Sequence, residues 1–532
     1  MSDASWTVGR YVVETLAANG IATVFGIPGL HNLELYRGLE LARLRHVLVH
    51  HEQNAGFAAD GYARVSGHPA AAFVISGPGV SNALTAVAQA YSDSVPLLLV
   101  ASAPVRASLG RGWGVLHELA DQRALAANVT GFAASAGSDA EVREHLRAAF
   151  ATLRAPRPRP AYLDVPLDLL AEETALRPEV FPRAAPLPTP GAAALAQMVA
   201  LLAAAERPLI IAGGGARAAG APLRHLLESL DAYLVTTVAA KGVVAESHAA
   251  SLGASLPYAA TQQRIAAADV VLAVGTELSE TDIYTTTRLP LRGRLLRADA
   301  DERKLDDHYQ AEVRLRADAT VALELLARDV RPRRGWRTAS GDAAPLRAAI
   351  EAQLPPAALA TLRAVRAALP ADGVVFSDMT QIAYVGNFAF PAERPGLWFH
   401  PSGYGTLGYA LPAALGAAIA QPQRAVVALA GDFGVQFTLA ELTTAAELDI
   451  TLPVIVWNNE ALGQIRDDMR AAGIAPIGVV ARNPDFLALG AACGAATLRV
   501  QDAAHLEQAL REALKRAGPT LLEMVATDAR AS

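Results

Sequence analysis

Short, uninterrupted apolar segments recur along this 532-residue chain, with helix-like segments between them. The clearest are 70–75, 96–101, 208–212, 425–430 and 453–457, none of which contains a charged residue. A strand that is apolar on both faces must be covered on both faces, as in parallel sheets whose connections are helices. The pattern therefore predicts an α/β protein built from doubly wound parallel sheets.

Two stretches rich in proline, arginine or glycine divide the chain into three blocks. They lie at about 177–190 and about 331–342, and both are typical of linkers. We predict three domains, at 1–180, 190–330 and 350–532. The first and third blocks look alike in their alternation of strands and helices.

The composition excludes several classes of function. A net charge of −6 and a pI of about 6.1 do not indicate nucleic acid or an anionic membrane as a partner. Cys493 is the only cysteine, so an intramolecular disulfide and a multi-cysteine metal site are excluded. No signal peptide and no membrane-spanning apolar run is visible in the sequence. We expect a soluble cytoplasmic protein.

Polar residues follow two successive apolar strands of the last block. Asp432 follows the first strand, and Asn458 and Asn459 follow the second. Thr438 and Glu441 have the spacing of a capping box, which predicts the start of the helix between these strands. Carboxylate and amide oxygens at one edge of a parallel sheet suit Mg2+. A plain strand–turn–helix explains either strand end alone, and the two ends together favour a cation site.

This spacing carries a resemblance to a known family. The tripeptide GDF at 431–433, followed after 24 residues by the pair 458–459, resembles the fingerprint G-D-G-x(24–27)-N-N of thiamine-diphosphate enzymes. The resemblance implies thiamine diphosphate and Mg2+ as cofactors. It also implies that the side chains of Asp432 and Asn459 and the carbonyl of Ala461 are ligands of Mg2+.

The glycines of this segment are the expected diphosphate contacts. Gly431 and Gly434 would let backbone N–H groups approach a diphosphate. Phe433 stands where the fingerprint has glycine, and some carboligases of the family carry an aromatic residue there. The resemblance also implies diphosphate contacts at Thr380 and Gln381, which follow an apolar strand.

A second motif lies upstream in the last block. The sequence SGYGTLG at 402–408 is similar to the SGxGTMG stretch of acetolactate synthases. The resemblance implies that the Gly405 carbonyl accepts a hydrogen bond from the cofactor's 4'-amino group. It also implies that Leu407 supports the bent cofactor, although in isolation it is typical of a core leucine.

The first block supplies a candidate acid. The segment 51–64 matches the family's helix motif HE-x-x-A-x-x-x-A-D-G-Y-A-R. The resemblance implies that Glu52 hydrogen-bonds N1' of the aminopyrimidine and shares a proton with it. The alternative is a glutamate that only complements a helix dipole. In relatives this glutamate and the diphosphate site come from different subunits. We therefore expect at least a homodimer, commonly a homotetramer, with active sites at the subunit interface.

The middle block ends a strand in three glycines, 213–215, without the full spacing of a dinucleotide motif. Acetolactate synthases bind FAD in this domain. We expect instead a scaffold that binds no FAD.

Three loops, 26–31, 76–79 and 113–118, are candidates to line a substrate pocket. His117 occupies the position of an active-site glutamine of acetolactate synthases, and His31 lies in the first loop. Both are candidates for proton transfer near neutral pH, and both could instead be surface histidines.

The segments 108–123 and 458–469 resemble decarboxylases that act on 5-guanidino-2-oxopentanoate, a small 2-oxo acid. The products would be 4-guanidinobutanal and CO2. A guanidinium tail favours a carboxylate partner, and Glu118, Asp121 and Asp467 are candidates unless they are solvated surface charges. An acetolactate-synthase-like carboligase, joining two 2-oxo acids or aldehydes, is the alternative. A non-catalytic relative and a flavin oxidoreductase are more distant alternatives.

Overall fold

The computed structural model describes residues 6–182, 189–284, 286–480 and 482–526. They form two compact units. The first unit comprises the described residues of 1–185, 375–380 and 403–532, and the second comprises those of 186–374 and 381–402. Positions 183–188 of the first predicted linker lie outside the described residues.

The N-terminal part of the first unit alternates strands and helices. Its strands are β1 (Thr23–Gly26), β2 (Arg45–Leu48), β3 (Ala70–Val74), β4 (Leu97–Ala103), β5 (Phe132–Ser135) and β6 (Ala161–Pro166). Its helices are α1 (Val8–Ala18), α2 (Leu33–Ala42), α3 (Glu52–Ser66), α4 (Pro78–Ser92), α5 (Gln122–Ala127), α6 (Asp139–Leu153) and α7 (Leu167–Ala171).

The middle of the chain repeats this alternation. Its strands are β7 (Pro208–Ala212), β8 (Tyr233–Thr236), β9 (Val270–Val274), β10 (Arg294–Asp299) and β11 (Val313–Arg316). Its helices are α8 (Ala192–Ala204), α9 (Gly220–Leu230), α10 (Ala259–Ala267), α11 (Glu280–Ile283), α12 (Glu302–Leu305), α13 (Ala319–Asp329), α14 (Trp336–Ser340), α15 (Ala344–Glu351) and α16 (Pro356–Ala368).

The C-terminal part has six more strands. They are β12 (Val374–Ser377), β13 (Trp398–Phe399), β14 (Val426–Gly431), β15 (Leu452–Asn458), β16 (Ala496–Val500) and β17 (Pro519–Val525). Its helices are α17 (Gln381–Ala389), α18 (Ala410–Ala420), α19 (Asp432–Thr438), α20 (Glu441–Glu447), α21 (Gly463–Ala471), α22 (Phe486–Ala492) and α23 (Ala503–Ala513).

The sheets are parallel and two of them share a strand order. The first sheet runs β2-β1-β3-β4-β6-β5. Within the first unit, the third sheet runs β12-β14-β15-β17-β16, which repeats the order β1-β3-β4-β6-β5. The central sheet runs β11-β10-β9-β7-β8. The predicted fold class and the likeness of the first and third blocks are confirmed.

Strand β7 explains why such strands are continuously apolar. Leu209 and Ile211 pack into one hydrophobic core, whereas Ile210 and Ala212 pack into a second core that includes Leu323 of α13. Successive side chains of a strand point to opposite faces, so a strand covered on both faces needs apolar residues throughout.

Two sequence predictions differ from the structure. The capping box is wrong, because Thr438 ends α19 and its hydroxyl donates to the Gly408 carbonyl at 3.0 Å. Helix α20 begins at Glu441 itself. A packed helix, α14, stands where the sequence predicts the second linker. Trp336 is buried against Tyr233, with 5.2 Å between ring centroids, and such tertiary burial is not visible in a Pro- and Arg-rich segment.

Helices α3 and α18 join the two halves of the first unit. A Cβ atom at Gly61 would lie 1.9 Å from the Ala413 carbonyl oxygen, and one at Gly416 would lie 1.9 Å from that of Ala58. Only glycine fits at either position, so the two helices meet backbone to backbone.

Among the described residues, no helix combines the length and the apolar character that crossing a bilayer requires.

Candidate active site

The carboxyl edge of the third sheet collects the predicted oxygen donors. Strands β14 and β15 are parallel neighbours, with Gly431 opposite Trp457, so the residues that follow them share one edge. Asp432 is 2% exposed and Asn459 is 6% exposed. Ala461 is also buried, and its backbone N–H donates to Asn459 Oδ1 at 3.3 Å. The three predicted ligands therefore lie in one short stretch of this edge.

Asn483, which the sequence analysis missed, lies between these strand ends. Its Nδ2 donates to Asp432 Oδ2 at 2.7 Å and to Asn458 Oδ1 at 2.9 Å. Burial raises the pKa of Asp432, although the Asn483 amide and nearby backbone N–H groups oppose this. A cation beside Asp432 would favour its charged form.

A cation at this edge would be held largely by amide and carbonyl oxygens. The described residues contain no group of three or more His, Cys, Asp and Glu side chains that could hold a metal. A single carboxylate with amide and backbone oxygens is the donor set of a hard cation such as Mg2+.

The glycines at this edge leave no room for side chains. A Cβ at Gly431 would lie 2.8 Å from Thr380 Oγ1, and one at Gly434 would lie 2.5 Å from Asp378 Oδ2. Phe433, between them, is half-buried. The backbone of this turn therefore lies directly against the segment that follows β12.

Asp378 braces the loop that precedes α18. It is 1% exposed, and its Oδ1 and Oδ2 accept from the Gly408 N–H at 3.0 and 2.9 Å. Burial raises the pKa of Asp378 to about 6, although backbone N–H groups lower it. The same loop carries Gly405, which is exposed with φ of +73°, and the half-buried Leu407.

A buried charge cluster holds this loop from the N-terminal half. Arg64 donates to Asp60 at 2.6 Å and to Asp93 at 2.7 Å, and Asp93 accepts the Gly403 N–H at 2.9 Å. Tyr409 donates its hydroxyl proton to Asp60 at 2.6 Å. Burial disfavours the charge of Arg64, but Asp60 and Asp93 hold its pKa well above the ordinary value. These residues of the HE…ADGYAR motif connect its helix to the Gly405 loop.

Glu52 is the first residue of α3. It follows His51, whose side chain caps the helix by accepting the Gln53 N–H at 3.1 Å. Asn82 Nδ2 donates to Glu52 Oε2 at 3.0 Å. Glu52 is partly accessible, which leaves its other oxygen, Oε1, able to meet a ligand.

The two candidate histidines lie side by side. The ring centroids of His31 and His117 are 5.1 Å apart, and His31 Nδ1 lies 2.6 Å from Ser76 Oγ. Burial and the nearby His117 lower the pKa of His31. His117 has φ of +64°, and its buried Nδ1 has no hydrogen-bond partner among the described residues.

The three candidate partners of a guanidinium have intramolecular partners. Glu118 accepts the N–H groups of Gly112 and Gly114 at 2.9 and 2.7 Å, on either side of the exposed Trp113. Asp121 caps α5. Asp467 forms an ion pair with the neighbouring arginine at 3.0 Å.

The second unit holds the remaining predicted sites. Gln381 begins α17 and lies in this unit. Gly213 and Gly215 pack against the end of β9, where a Cβ at Gly213 would lie 2.4 Å from the Gly275 carbonyl oxygen, and a Cβ at Gly214 would lie 3.1 Å from Ala239. Close strand-to-turn packing accounts for these glycines.

Sequence reasoning missed the residues that hold the site together. Asp60 and Arg64 lie inside a quoted motif, but only the structure reveals their partners. Asp378 lies two residues before Thr380, a predicted diphosphate contact. This position is the one feature of the sequence that could have indicated a role for Asp378. Asn483 and Asn82 carry no motif, and each acts across a separation of at least 25 residues.

Comparisons with known proteins cover most of the chain and indicate one family. Three domain models of the thiamine pyrophosphate enzyme family match this chain. The N-terminal TPP binding domain matches residues 6–125, the central domain matches 195–326, and the C-terminal TPP binding domain matches 378–524. The chain is 50% identical to the probable 2-ketoarginine decarboxylase AruI of Pseudomonas aeruginosa, covering 97% of this chain and 94% of the relative. It is 29% identical to the acetolactate synthase isozyme 1 large subunit of Escherichia coli, covering 98% and 94%.

Proposed function

Since this chain belongs to the thiamine pyrophosphate enzyme family, we propose that it decarboxylates 5-guanidino-2-oxopentanoate to 4-guanidinobutanal and CO2. The observation that supports this substrate is the 50% identity, over 97% of the chain, to a probable 2-ketoarginine decarboxylase. 2-Ketoarginine and 5-guanidino-2-oxopentanoate are the same compound.

The residues at the third sheet's edge fit thiamine diphosphate with Mg2+. Asp432, Asn459 and the Ala461 carbonyl would hold the cation, since they offer one carboxylate and neutral oxygens. Gly431 and Gly434, with the half-buried Phe433 between them, would present backbone N–H groups to the diphosphate, beside Thr380 and at the start of α19. Gln381 would add a further diphosphate contact.

Bound thiamine diphosphate supplies a carbon nucleophile and an electron sink for the loss of CO2 from a 2-oxo acid. Glu52 would hold a proton at N1' of the aminopyrimidine, with Asn82 fixing its carboxylate at 3.0 Å. The Gly405 carbonyl would accept from the 4'-amino group, and Leu407 would support the bent cofactor. Asp378 and the Arg64 cluster would keep that loop in place.

His31 and His117 would move protons near the substrate. The contact of His31 with Ser76 and its lowered pKa support a neutral imidazole at pH 7, which can accept a proton. The buried Nδ1 of His117, which lacks a partner in the described part of the chain, supports a second polar contact for substrate or product.

Recognition of the guanidinium tail would use one of Glu118, Asp121 and Asp467. Each already has an intramolecular partner, so substrate would add to or replace those contacts. Substitution of the acid that binds the tail would raise the KM for the guanidino acid and leave that for a neutral analogue unchanged.

We propose a homodimer or homotetramer in which Glu52 of one subunit faces the diphosphate site of the next. Large apolar side chains are exposed on the described single chain in the segments that follow β4 and β15, among them Trp113, Leu116, Ile465 and Ile477. A second copy of the chain would cover them. We propose the division at 1–180, 190–330 and 350–532, with a central domain that serves as a scaffold without FAD.

The test uses the purified protein with thiamine diphosphate and Mg2+. It is offered 5-guanidino-2-oxopentanoate, pyruvate and the neutral analogue 2-oxohexanoate separately. Release of CO2 is recorded, and products are identified by mass spectrometry. A control without thiamine diphosphate sets the background.

We expect fast formation of 4-guanidinobutanal and a much lower kcat/KM for 2-oxohexanoate, which lacks the charged tail. Acetolactate from pyruvate, with the guanidino acid inert, would contradict the proposed substrate. That outcome would establish the acetolactate-synthase-like carboligase, to which the 29% identical relatives and Phe433 point.

A further inference from the structure

Glu441 is a buried acid whose contacts lead to the candidate catalytic glutamate. Its side chain is fully buried, at 0% exposure, at the start of α20 in the C-terminal half of the first unit. Its Oε1 accepts the backbone N–H of His50 at 2.9 Å and the Nδ2 of Asn54 at 2.8 Å. These two donors belong to the N-terminal half, and they flank Glu52 on either side.

Thr444 completes the arrangement one turn along α20. Its hydroxyl lies 2.7 Å from Glu441 Oε2, 2.9 Å from His50 Nδ1 and 3.3 Å from the Leu48 carbonyl oxygen. Since the single hydroxyl proton of Thr444 is donated to Glu441, α20 holds the start of α3 through the His50 N–H, the His50 ring and the Asn54 amide. Asn54 is 1% exposed and its Oδ1 has no partner among the described residues, so its contact with Glu441 is the one that orients it.

Such an acid is unfavourable for folding unless its contacts compensate. Burial raises the pKa of Glu441, and the hydrogen bonds from Asn54, Thr444 and the His50 backbone lower it again. All its partners act as donors toward it, which is the pattern that a carboxylate requires. An apolar residue at this position would leave the His50 N–H and the Asn54 amide without partners.

We propose that Glu441 is a positioning residue that fixes the His50–Asn54 turn, so that Glu52 reaches the aminopyrimidine in a single orientation. The inference rests on the proposed role of Glu52. It makes α20, which follows the cation-binding turn and α19, the element that sets the geometry of the acid in the other half of the unit. A shift of about 1 Å at a catalytic group is enough to lower a rate about 100-fold.

The test compares Glu441→Ala and Glu441→Gln in the full-length holoenzyme. Glutamine keeps an oxygen for the His50 N–H and the Asn54 amide, and its NH2 group can donate to Thr444. We expect Glu441→Ala to lower kcat by about 100-fold with little change in KM, and Glu441→Gln to stay within about threefold of wild type. Leu323→Ala, in the core of the second unit, controls for loss of stability alone.

A second measurement needs no cofactor. Hydrogen exchange of the peptide covering residues 48–56 reports on the His50 N–H that Glu441 accepts. In the cofactor-free protein we expect faster exchange there in Glu441→Ala, and wild-type exchange in Glu441→Gln and Leu323→Ala.

Each outcome decides between distinct roles. Wild-type kcat in folded Glu441→Ala would overturn the proposal. Equal loss in Glu441→Gln, with normal exchange at 48–56, would also overturn it, because it would indicate a proton-carrying acid. If Glu52→Gln decarboxylates normally, the proposed role of Glu52 fails by itself, and the exchange measurement still decides whether Glu441 holds the turn.

Discussion

The first and third sheets share a strand order but differ in what stands at their carboxyl edges. The edge of the third sheet is rich in fixed oxygens, with Asp378, Asp432 and Asn459 all nearly inaccessible to solvent. The edge of the first sheet carries other ionisable groups: Glu52 and His117 are partly accessible, and His31 is buried beside His117. One topology therefore presents two different sets of side chains at its carboxyl edges, and the residues after each strand decide which.

The difference also concerns how each edge is held. In the C-terminal half, backbone N–H groups surround Asp378. In the N-terminal half, Asp164 of β6 accepts the Tyr162 hydroxyl at 2.8 Å. Burial raises the pKa of both acids to about 6. The contacts between α3 and α18 then fix the two halves against one another.

The largest expected effect comes from breaking that contact. Gly61→Ala places a methyl group 1.9 Å from the Ala413 carbonyl oxygen, so α3 and α18 must separate. We expect a loss of about 3 kcal/mol or more in the free energy of unfolding, measured by urea denaturation. Gly191→Ala is the matched control, because its Cβ meets nothing within 4 Å and its φ is −60°. Equal stability of the two variants would show that the helices do not meet as described.

Asp164→Asn tests whether the raised pKa of this buried acid makes the stability of the N-terminal half depend on pH. The folded pKa is about 6 against an ordinary 3.8, so the stability that Asp164 contributes is present below pH 4 and is lost as pH rises through 6. This pKa shift corresponds to about 3 kcal/mol of folding free energy that depends on pH. Asparagine does not titrate, so the variant lacks this dependence. The melting temperature of Asp164→Asn minus that of wild type should therefore be larger at pH 7.5 than at pH 4.5. The same difference at both pH values would contradict the raised pKa of Asp164.

Asp432→Asn tests the proposed cation site at the carboxyl edge of the third sheet. Asparagine keeps the shape and one acceptor oxygen but removes the charge, so we expect affinity for Mg2+ to fall about 100-fold. Calorimetric titration of Mg2+ in the presence of thiamine diphosphate measures the change. Glu447→Gln, at an exposed position of α20, removes a charge away from the edge and should bind as wild type does. Undiminished affinity in Asp432→Asn would remove this residue from the cation site.

Much of the fold could be predicted from local sequence. The apolar runs at 70–75, 96–101, 208–212, 425–430 and 453–457 lie within two residues of the bounds of β3, β4, β7, β14 and β15, because continuous apolar runs ended by glycine or polar residues mark buried strands. Helix starts are predicted less well: the sequence pattern predicts a helix over 82–91, whereas α4 begins four residues earlier, at Pro78. Proline at a first helical position was the signal that could have corrected it.

The contacts that shape the site could not be predicted in this way. Glu441 and His50 are 391 positions apart, and a capping-box spacing suggested a local role for Glu441 instead. Asn483 and Asp432 are 51 positions apart with no motif between them. Such pairings are set by tertiary packing, so spacing alone carries no trace of them.

The most direct test of the central claim is a comparison of Glu52→Gln with wild type in two assays. One measures thiamine diphosphate affinity by calorimetry, and the other measures CO2 release from 5-guanidino-2-oxopentanoate. Because glutamine cannot hold the proton at N1', we predict unchanged affinity and a rate at least about 100-fold lower. Unchanged decarboxylation by the cofactor-loaded variant would contradict the role of Glu52 and the division of labour between the two edges.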